Sequence, residues 1–339
     1  MTEHDDYLWD RSGDADPDVV RLEQLLAPLA HRGERLRDLP DRAVRRSVVR
    51  VVIPLLTAAA SIALVIAGAD FAARQRGAGW AVEALDGAPL VDGRRIGADG
   101  SIRAGEALET DADSRARLDV GGFGTVEIEP DTRLRIVSAR DEAQRLALDR
   151  GRIHALIWAP PGRFAVSTPS ATAIDLGCAY TLDVDPAGHG LVQVISGWVA
   201  FEDAGRESFI PEGAICATRR GRGPGTPRYL DAPEGYEAAL ATLDFGAPDD
   251  PGRAAALDLV LREARSRDAL TLWHLLSRGS PDERARVYDR MAALVPPPVG
   301  VTRAAILRRD QPALDAWWNA LGLDTADWWR VWKTRWGRK

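Results

Sequence analysis

The chain has 339 residues, a formal net charge of −6, and 28% charged residues. The negative charge argues against a nucleic-acid binder with a dominant phosphate-binding face. Cys178 and Cys216 are the two cysteines, which excludes a cysteine-rich metal module. The length favours two domains as a first expectation.

Residues 1–47 form a short polar segment that predicts one amphipathic helix. Asp16-Pro17-Asp18 has the pattern of a helix start, with an N-cap, a proline in the first turn and an acidic residue after it. Apolar residues then recur at spacings of three and four up to residue 29. Because so short a segment cannot bury its own core, we expect its apolar side chains to bind a partner. These side chains are Tyr7, Trp9, Leu22, Leu25, Leu26 and Leu29. The partner is expected to be a cytoplasmic protein, with the membrane surface or a second copy of the helix as alternatives.

The stretch RRSVVRVVIPLLTAAASIALVIAGADFAAR follows at residues 45–74. Its uncharged part, residues 51–69, would span about 28 Å as a helix, close to the thickness of a bilayer core. This predicts a transmembrane helix within residues 48–73, with a buried core helix or a cleaved signal peptide as alternatives. More arginines precede the block than follow it, which places residues 1–47 in the cytoplasm. The predicted location is the inner membrane, with a single span and with the C-terminal part periplasmic or otherwise extracytoplasmic.

From residue 80 to about residue 230 the apolar pattern has a period of two. Short alternating runs such as SRARLDV, TVEIE and TRLRIV are separated by glycine, proline and aspartate. Such spacing predicts an all-β sandwich, a barrel or a coil of stacked hairpins over residues 78–230.

Four ordered pieces of this region resemble the FecR family. They are ARLDVGGFGTVEIEPDTRLRIV, LALDRGRIHALI, FAVSTPSATAIDLGCAYTLDVD and VQVISGWVAF. The family pattern usually has Gly-Thr where this chain has Gly177-Cys178. The resemblance implies a β-rich, non-catalytic module of a transmembrane anti-sigma regulator. It also implies two partners: an envelope or outer-membrane protein that is sensed, and a sigma factor that receives the signal.

Cys178 and Cys216 both lie in this β region. Outside the cytoplasm two cysteines can form one disulfide bond, and two separate buried thiols are the alternative. The sequence leaves both possibilities open because it does not give the distance between the two residues.

After residue 230 the apolar period returns to 3.6, which predicts an α-helical C-terminal domain over residues 235–339. Ser280-Pro281-Asp282-Glu283 has the form of a capping box. Trp328, Trp332 and Trp336 recur at intervals of four and fall on one helix face. We expect this tryptophan face to pack on neighbouring helices or to contact a protein or a membrane interface.

The sequence contains no nucleophile elbow, phosphate loop, dinucleotide-binding glycine pattern or paired-histidine metal motif. We therefore expect neither an enzyme nor a cofactor nor a bound metal. The predicted fold class is mixed: an all-β FecR-like domain of stacked hairpins, a single transmembrane helix and an α-helical C-terminal domain. The expected function is a single-pass signalling regulator that senses an envelope partner and engages a sigma factor or another cytoplasmic regulator. The alternative is a non-catalytic envelope scaffold or a polysaccharide- or protein-binding module that is tethered to the inner membrane. Membrane lipid is also an expected partner.

Overall fold

The computed structural model describes residues 17–26, 79–140 and 143–323. The chain divides into two compact units, Met1–Ala67 and Gly68–Lys339. In the first unit, helix α1 spans Pro17–Leu26. The helix begins at the proline that the sequence places in the first turn, because a residue without an N–H is tolerated there.

The second unit begins with short strands that alternate buried and exposed residues. The first nine are β1 (Trp80–Asp86), β2 (Leu90–Val91), β3 (Arg94–Arg95), β4 (Asp99–Ile102), β5 (Ala107–Glu109), β6 (Arg115–Asp119), β7 (Gly124–Ile128), β8 (Arg133–Arg140) and β9 (Ala143–Ile157). The next nine are β10 (Phe164–Ser167), β11 (Thr172–Asp175), β12 (Cys178–Val184), β13 (Gly190–Ser196), β14 (Trp198–Asp203), β15 (Arg206–Pro211), β16 (Ala214–Arg219), β17 (Gly223–Pro224) and β18 (Arg228–Tyr229).

Helices follow the strands. They are α2 (Tyr236–Phe245), α3 (Arg253–Glu263), α4 (Ala269–Arg278), α5 (Pro281–Leu294), α6 (Arg303–Leu307) and α7 (Gln311–Ala320), with a 3-10 turn at Ser266–Asp268. The predicted capping box is present at the start of α5. The Ser280 hydroxyl accepts a hydrogen bond from the Glu283 N–H, and the Glu283 carboxylate accepts one from the Ser280 N–H.

The strands form two sheets that share β9. Sheet A has the order β4-β1-β6-β7-β9-β12-β13-β16, and β17 and β18 pair with β16. Sheet B has the order β3-β2-β5-β8-β9-β10-β11-β14-β15. Among the described strands, β10 pairs with β9 in parallel and the other pairs are antiparallel.

Strand β9 passes from sheet B to sheet A at Gly151. Residues 143–150 pair with β8 in sheet B, and residues 151–157 pair with β12 in sheet A. Gly151 has a φ of 94°, and a Cβ atom at this position would lie 2.2 Å from Oγ1 of Thr132. Glycine is therefore required here both by the backbone conformation and by the close approach of Thr132.

The C-terminal helices cover the edge of sheet B. The Phe209 N–H of edge strand β15 donates a hydrogen bond to Nε2 of His274, at 3.0 Å. The Arg278 guanidinium donates to the carbonyl oxygen of Glu207 in the same strand, at 2.9 Å. Polar groups of α4 thus satisfy an edge that would otherwise be open to pairing with another chain. Strands and helices share one hydrophobic core, in which Trp317 and Trp318 are fully buried.

The predicted fold class, taken as one combination of three parts, is wrong. In residues 17–26, 79–140 and 143–323, no helix is both long enough and apolar enough to cross a membrane. The predicted transmembrane segment, residues 48–73, lies outside the described residues. The β region is also not a coil of stacked hairpins, because β1 pairs with β6 and β11 pairs with β14 across long stretches of chain. The expected β region and C-terminal helices are present, and the change from strands to helices falls between Tyr229 and Tyr236.

Candidate functional site

An apolar patch lies on the outer face of sheet A. Leu156, Trp158 and Ile195 are 53%, 61% and 55% exposed. Phe123 and Ala179 are half-buried beside them. We call these five residues the apolar patch. Their neighbours in sequence, such as Ile157 and Val194, point into the core, so the pleat of the sheet sends the patch residues outward.

Strand pairing brings the patch residues together from different strands. Leu156 of β9 lies opposite Thr125 of β7 on one side and opposite Ala179 of β12 on the other. Ala179 lies opposite Ser196, and Ile195 occupies an irregularity in the β12–β13 register. The alternation of β13 turns Ile195 outward, and the bulge places it beside Ala179, which extends the apolar surface over three neighbouring strands.

Trp158 is held in place although its ring is largely exposed. Its backbone N–H donates to the carbonyl oxygen of Phe123 at 2.9 Å. Its indole Nε1 donates to the carbonyl oxygen of Gly122 at 2.8 Å. Since both N–H groups already have partners, the free surface that Trp158 offers is the apolar face of its ring.

Charged side chains cover much of the rest of this face. The carboxylates are Glu83, Asp86, Asp99, Asp119, Glu127, Glu129 and Asp183, and the guanidinium groups are Arg115, Arg117, Arg152 and Arg219. Arg117 binds both Glu83 and Glu127, each at 3.0 Å. His154 lies between Thr181 and these charged side chains, and its Nδ1 is 2.9 Å from the Thr181 hydroxyl. Carboxylates outnumber guanidinium groups, so the surroundings of the apolar patch carry a negative charge.

Beneath the patch, the turn between β11 and β12 buries a carboxyl group. Asp175 accepts hydrogen bonds from the Gly177 N–H at 2.8 Å and from the Cys178 thiol at 2.6 Å. Burial raises the pKa of Asp175 to about 7, and the two hydrogen bonds only partly oppose this effect. The hydroxyl of Tyr180 is also buried and has no hydrogen-bond partner among the described residues.

Cys178 and Cys216 do not form a disulfide bond; both are free and buried. The Cys216 thiol donates to the carbonyl oxygen of Gly225. Cys216 lies opposite Val192, which lies opposite Leu182, four residues along β12 from Cys178. Strand geometry separates the two cysteines by about 16 Å. A disulfide bond needs Cα atoms within about 7 Å.

The residues predicted to bind a cytoplasmic partner lie in or near α1. Leu22 is 57% exposed, and Leu25 and Leu26 belong to the same helix. The side chains of Leu25 and Leu26, and the whole of Tyr7, Trp9 and Leu29, lie outside the described residues. The same holds for Trp328, Trp332 and Trp336. These predictions therefore stay predictions.

The apolar patch is not among the sites predicted from the sequence. The run RIHALIW contains the signal, because Ile153, Ala155 and Ile157 already supply the inward face of a strand. Leu156 and Trp158 are apolar at the alternate positions, which a strand with one solvated face fills with polar residues.

A cleft of about 840 Å³ lies between the edge of sheet B and the helices. Five of its charged side chains are paired with one another. Asp244 accepts hydrogen bonds from Arg206 at 2.7 Å and from Arg278 at 3.4 Å, and Arg253 pairs with Glu283. Burial lowers the pKa of the His274 imidazole to about 3, so this side chain is neutral. The polar groups of the cleft thus hold the helices on the sheet.

Part of the β region is similar to a known protein family. Residues 106–200 match the family model described as FecR protein. This stretch is a FecR domain. The stretch contains the whole apolar patch and the turn that buries Asp175. The match confirms the resemblance inferred from the sequence. A FecR domain supports a signalling or regulatory role for the chain.

Two crystal structures of a protein from Parabacteroides distasonis ATCC 8503, described as a candidate anti-sigma factor, are similar to part of the chain. Each has 13% sequence identity and a TM-score of 0.33, and the similarity covers 40% of this chain. The chain spans 64% of the length of that protein. No curated protein matches the chain.

Proposed function

We propose that the protein is a signalling regulator that binds one protein partner through the apolar patch of its FecR domain and a sigma factor through helix α1. The observation that carries the proposal is the exposure of Leu156, Trp158 and Ile195 at neighbouring positions of the domain. Contiguous exposed apolar surface on a folded domain is typical of an interaction site. Tryptophan is among the residues that contribute most to protein–protein affinity.

The fixed position of Trp158 supports the role of the patch in binding. An unrestrained tryptophan loses rotamer freedom when a partner covers it, and this loss weakens binding. The two hydrogen bonds to Phe123 and Gly122 hold Trp158 before the partner arrives. The patch is therefore pre-organised for contact.

Helix α1 supports the second contact. Leu22 is exposed in the middle of a ten-residue helix. Leucine at this position contributes nothing to a core of described residues, and it suits an amphipathic helix that lies in a groove of a partner. The FecR domain favours a sigma factor as the partner of this helix. The alternative is that the segment only tethers the protein and binds no sigma factor.

Co-purification of the full-length chain with each sigma factor of its source cell tests the α1 contact. We expect one sigma factor to be recovered, and we expect Leu22→Asp to weaken its binding by about tenfold or more, because a charge would be buried in the groove. Gln24→Asp places the same charge on the opposite side of the exposed helix and serves as the control. Recovery of no sigma factor, or equal loss with both variants, would contradict this part of the proposal.

A transcription reporter for the recovered sigma factor tests the patch. We expect Leu156→Asp to abolish the change in reporter output that the external signal causes, while Leu230→Asp leaves it intact. Leu230 is a matched control because it is 50% exposed and lies outside the FecR match. An unchanged response in the Leu156→Asp chain would exclude the patch as the signalling contact.

A further inference from the structure

We propose that the apolar patch takes a cationic segment of the partner protein, with apolar side chains on the patch and basic side chains over the carboxylates beside it. This inference rests on the proposed function and adds the chemistry of the partner. It follows from the distribution of charge on the outer face of sheet A.

The ion pairs on this face leave negative charge unneutralised. Arg117 is shared by Glu83 and Glu127, so this trio keeps one negative charge. Arg115 is likewise shared by Asp86 and Glu129. These charged side chains lie at the surface, in a medium of high dielectric constant. A cation is therefore attracted by their summed field more than by any single ion pair.

Two further carboxylates have no ion pair within the described part of the chain. Asp119 lies opposite Thr125, which lies opposite Leu156 of the patch. Asp99 lies opposite Glu83 at the edge of the sheet. Both are exposed. They add to the negative charge left by the two trios.

The negative charge is concentrated on one side of the patch. Strands β7, β6 and β1 carry Glu127, Asp119 and Glu83, at one, two and three strand spacings from Leu156. On the other side, Thr181 of β12 and Gln193 of β13 are uncharged. Asp183 of β12 is paired with Arg152, and Arg219 of β16 adds a positive charge. With strands about 4.8 Å apart, and with Glu127 and Glu83 offset from Leu156 by two residues (about 7 Å) along the strands, a matching partner carries basic groups about 8 to 16 Å from its apolar anchor.

The same charge distribution argues against a second copy of the chain as the occupant. Two copies that met face to face through this surface would bring the unneutralised carboxylates of each against those of the other. Like charges in such an interface disfavour association. A partner with a basic segment gains the attraction that a second copy would oppose.

Fluorescence anisotropy with the full-length chain tests the proposal. The probe is a labelled short peptide of leucine, tryptophan and lysine, and its twin has glutamate in place of every lysine. We expect the cationic peptide to bind at low salt, to weaken at high salt, and to bind at least about tenfold more tightly than its anionic twin.

Matched variants locate the binding. Leu156→Ser and Trp158→Ser remove apolar surface without a change of charge, and we expect each to weaken binding by about tenfold. Asp119→Asn should weaken binding by about threefold and reduce its dependence on salt. Leu230→Ser and Asp249→Asn make the same substitutions at other exposed positions and should leave binding unchanged.

Several results would overturn the proposal. Equal affinity for the two peptides would remove the role of charge, and equal effects of Leu156→Ser and Leu230→Ser would remove the patch. A dimer of the wild-type chain that Leu156→Ser dissociates would make a second copy the occupant. Peptide binding only by a chain that ends at Leu323 would make residues 324–339 the occupant. If the reporter still depends on Leu156 while no peptide binds, the proposed function stands and the cationic partner is rejected.

Discussion

Replacement of the buried Asp175 carboxyl by an amide tests how burial controls the stability of the FecR domain. The pKa of Asp175 is raised from 3.8 to about 7, chiefly by burial. Between these two values the folded chain binds the proton and the unfolded chain does not. The stability that this group contributes is therefore complete below about pH 4 and is lost as the pH rises to about 7.

The size of the effect follows from the shift. One pKa unit corresponds to about 1.4 kcal/mol, so the ionised Asp175 lowers the free energy of unfolding by at most about 4 kcal/mol above its folded pKa. Asp175→Asn cannot ionise, and its amide oxygen can still accept the hydrogen bond from the Gly177 N–H. The bond from the Cys178 thiol loses its carboxylate acceptor, which costs about 1 kcal/mol. We therefore expect the variant to be more stable than the wild type by about 2–3 kcal/mol at about pH 8.

Urea unfolding followed by tryptophan fluorescence, at a series of pH values from about 4 to 8, measures this difference. The gap between variant and wild type should shrink as the pH falls, because the wild-type carboxyl becomes protonated. Asp119→Asn makes the same substitution at an exposed carboxylate and serves as the control. A variant that is less stable than the wild type at the alkaline end of this series would refute the reasoning.

Three further predictions concern the fold. Gly151→Ala should lower the free energy of unfolding by about 3 kcal/mol or more in urea, because the new methyl group meets a threonine side chain and the backbone has a positive φ. Arg278→Met should cost about 3–5 kcal/mol in the same assay, because it leaves the buried Asp244 with one fewer cationic partner. Cys178 and Cys216 should react with a thiol reagent only in denaturant, without prior reduction, because both are free and buried.

Each of these predictions has a control. Gly93→Ala also places alanine at a positive φ but meets no atom within 4 Å, so it should cost less than Gly151→Ala. Arg303→Met breaks an exposed pair with Asp289 and should cost no more than about 1 kcal/mol. Equal losses of stability for the two glycine variants would show that steric contact is not the cause. Equal losses for the two arginine variants would show that burial is not the cause. Cysteines that react in the native chain would contradict their burial.

The sequence by itself determined the local structure of the described chain. In β12, Cys178, Tyr180 and Leu182 alternate with residues of the opposite face, and all three are buried. The capping box at Ser280 starts helix α5 where its sequence predicts. Such features depend on residues within a few positions of one another, so a pattern of residue types is sufficient to specify them.

Only the tertiary structure decided which strands are neighbours, and from this came the features that matter for function. The pattern of β9 predicts a strand but not that it crosses between two sheets at Gly151. The separation of Cys178 and Cys216, and the meeting of Leu156 with Ile195 in one patch, depend on pairings between distant segments. Such pairings are selected by the combined free energy of burying many side chains at once. A local pattern of residue types does not contain that combined free energy.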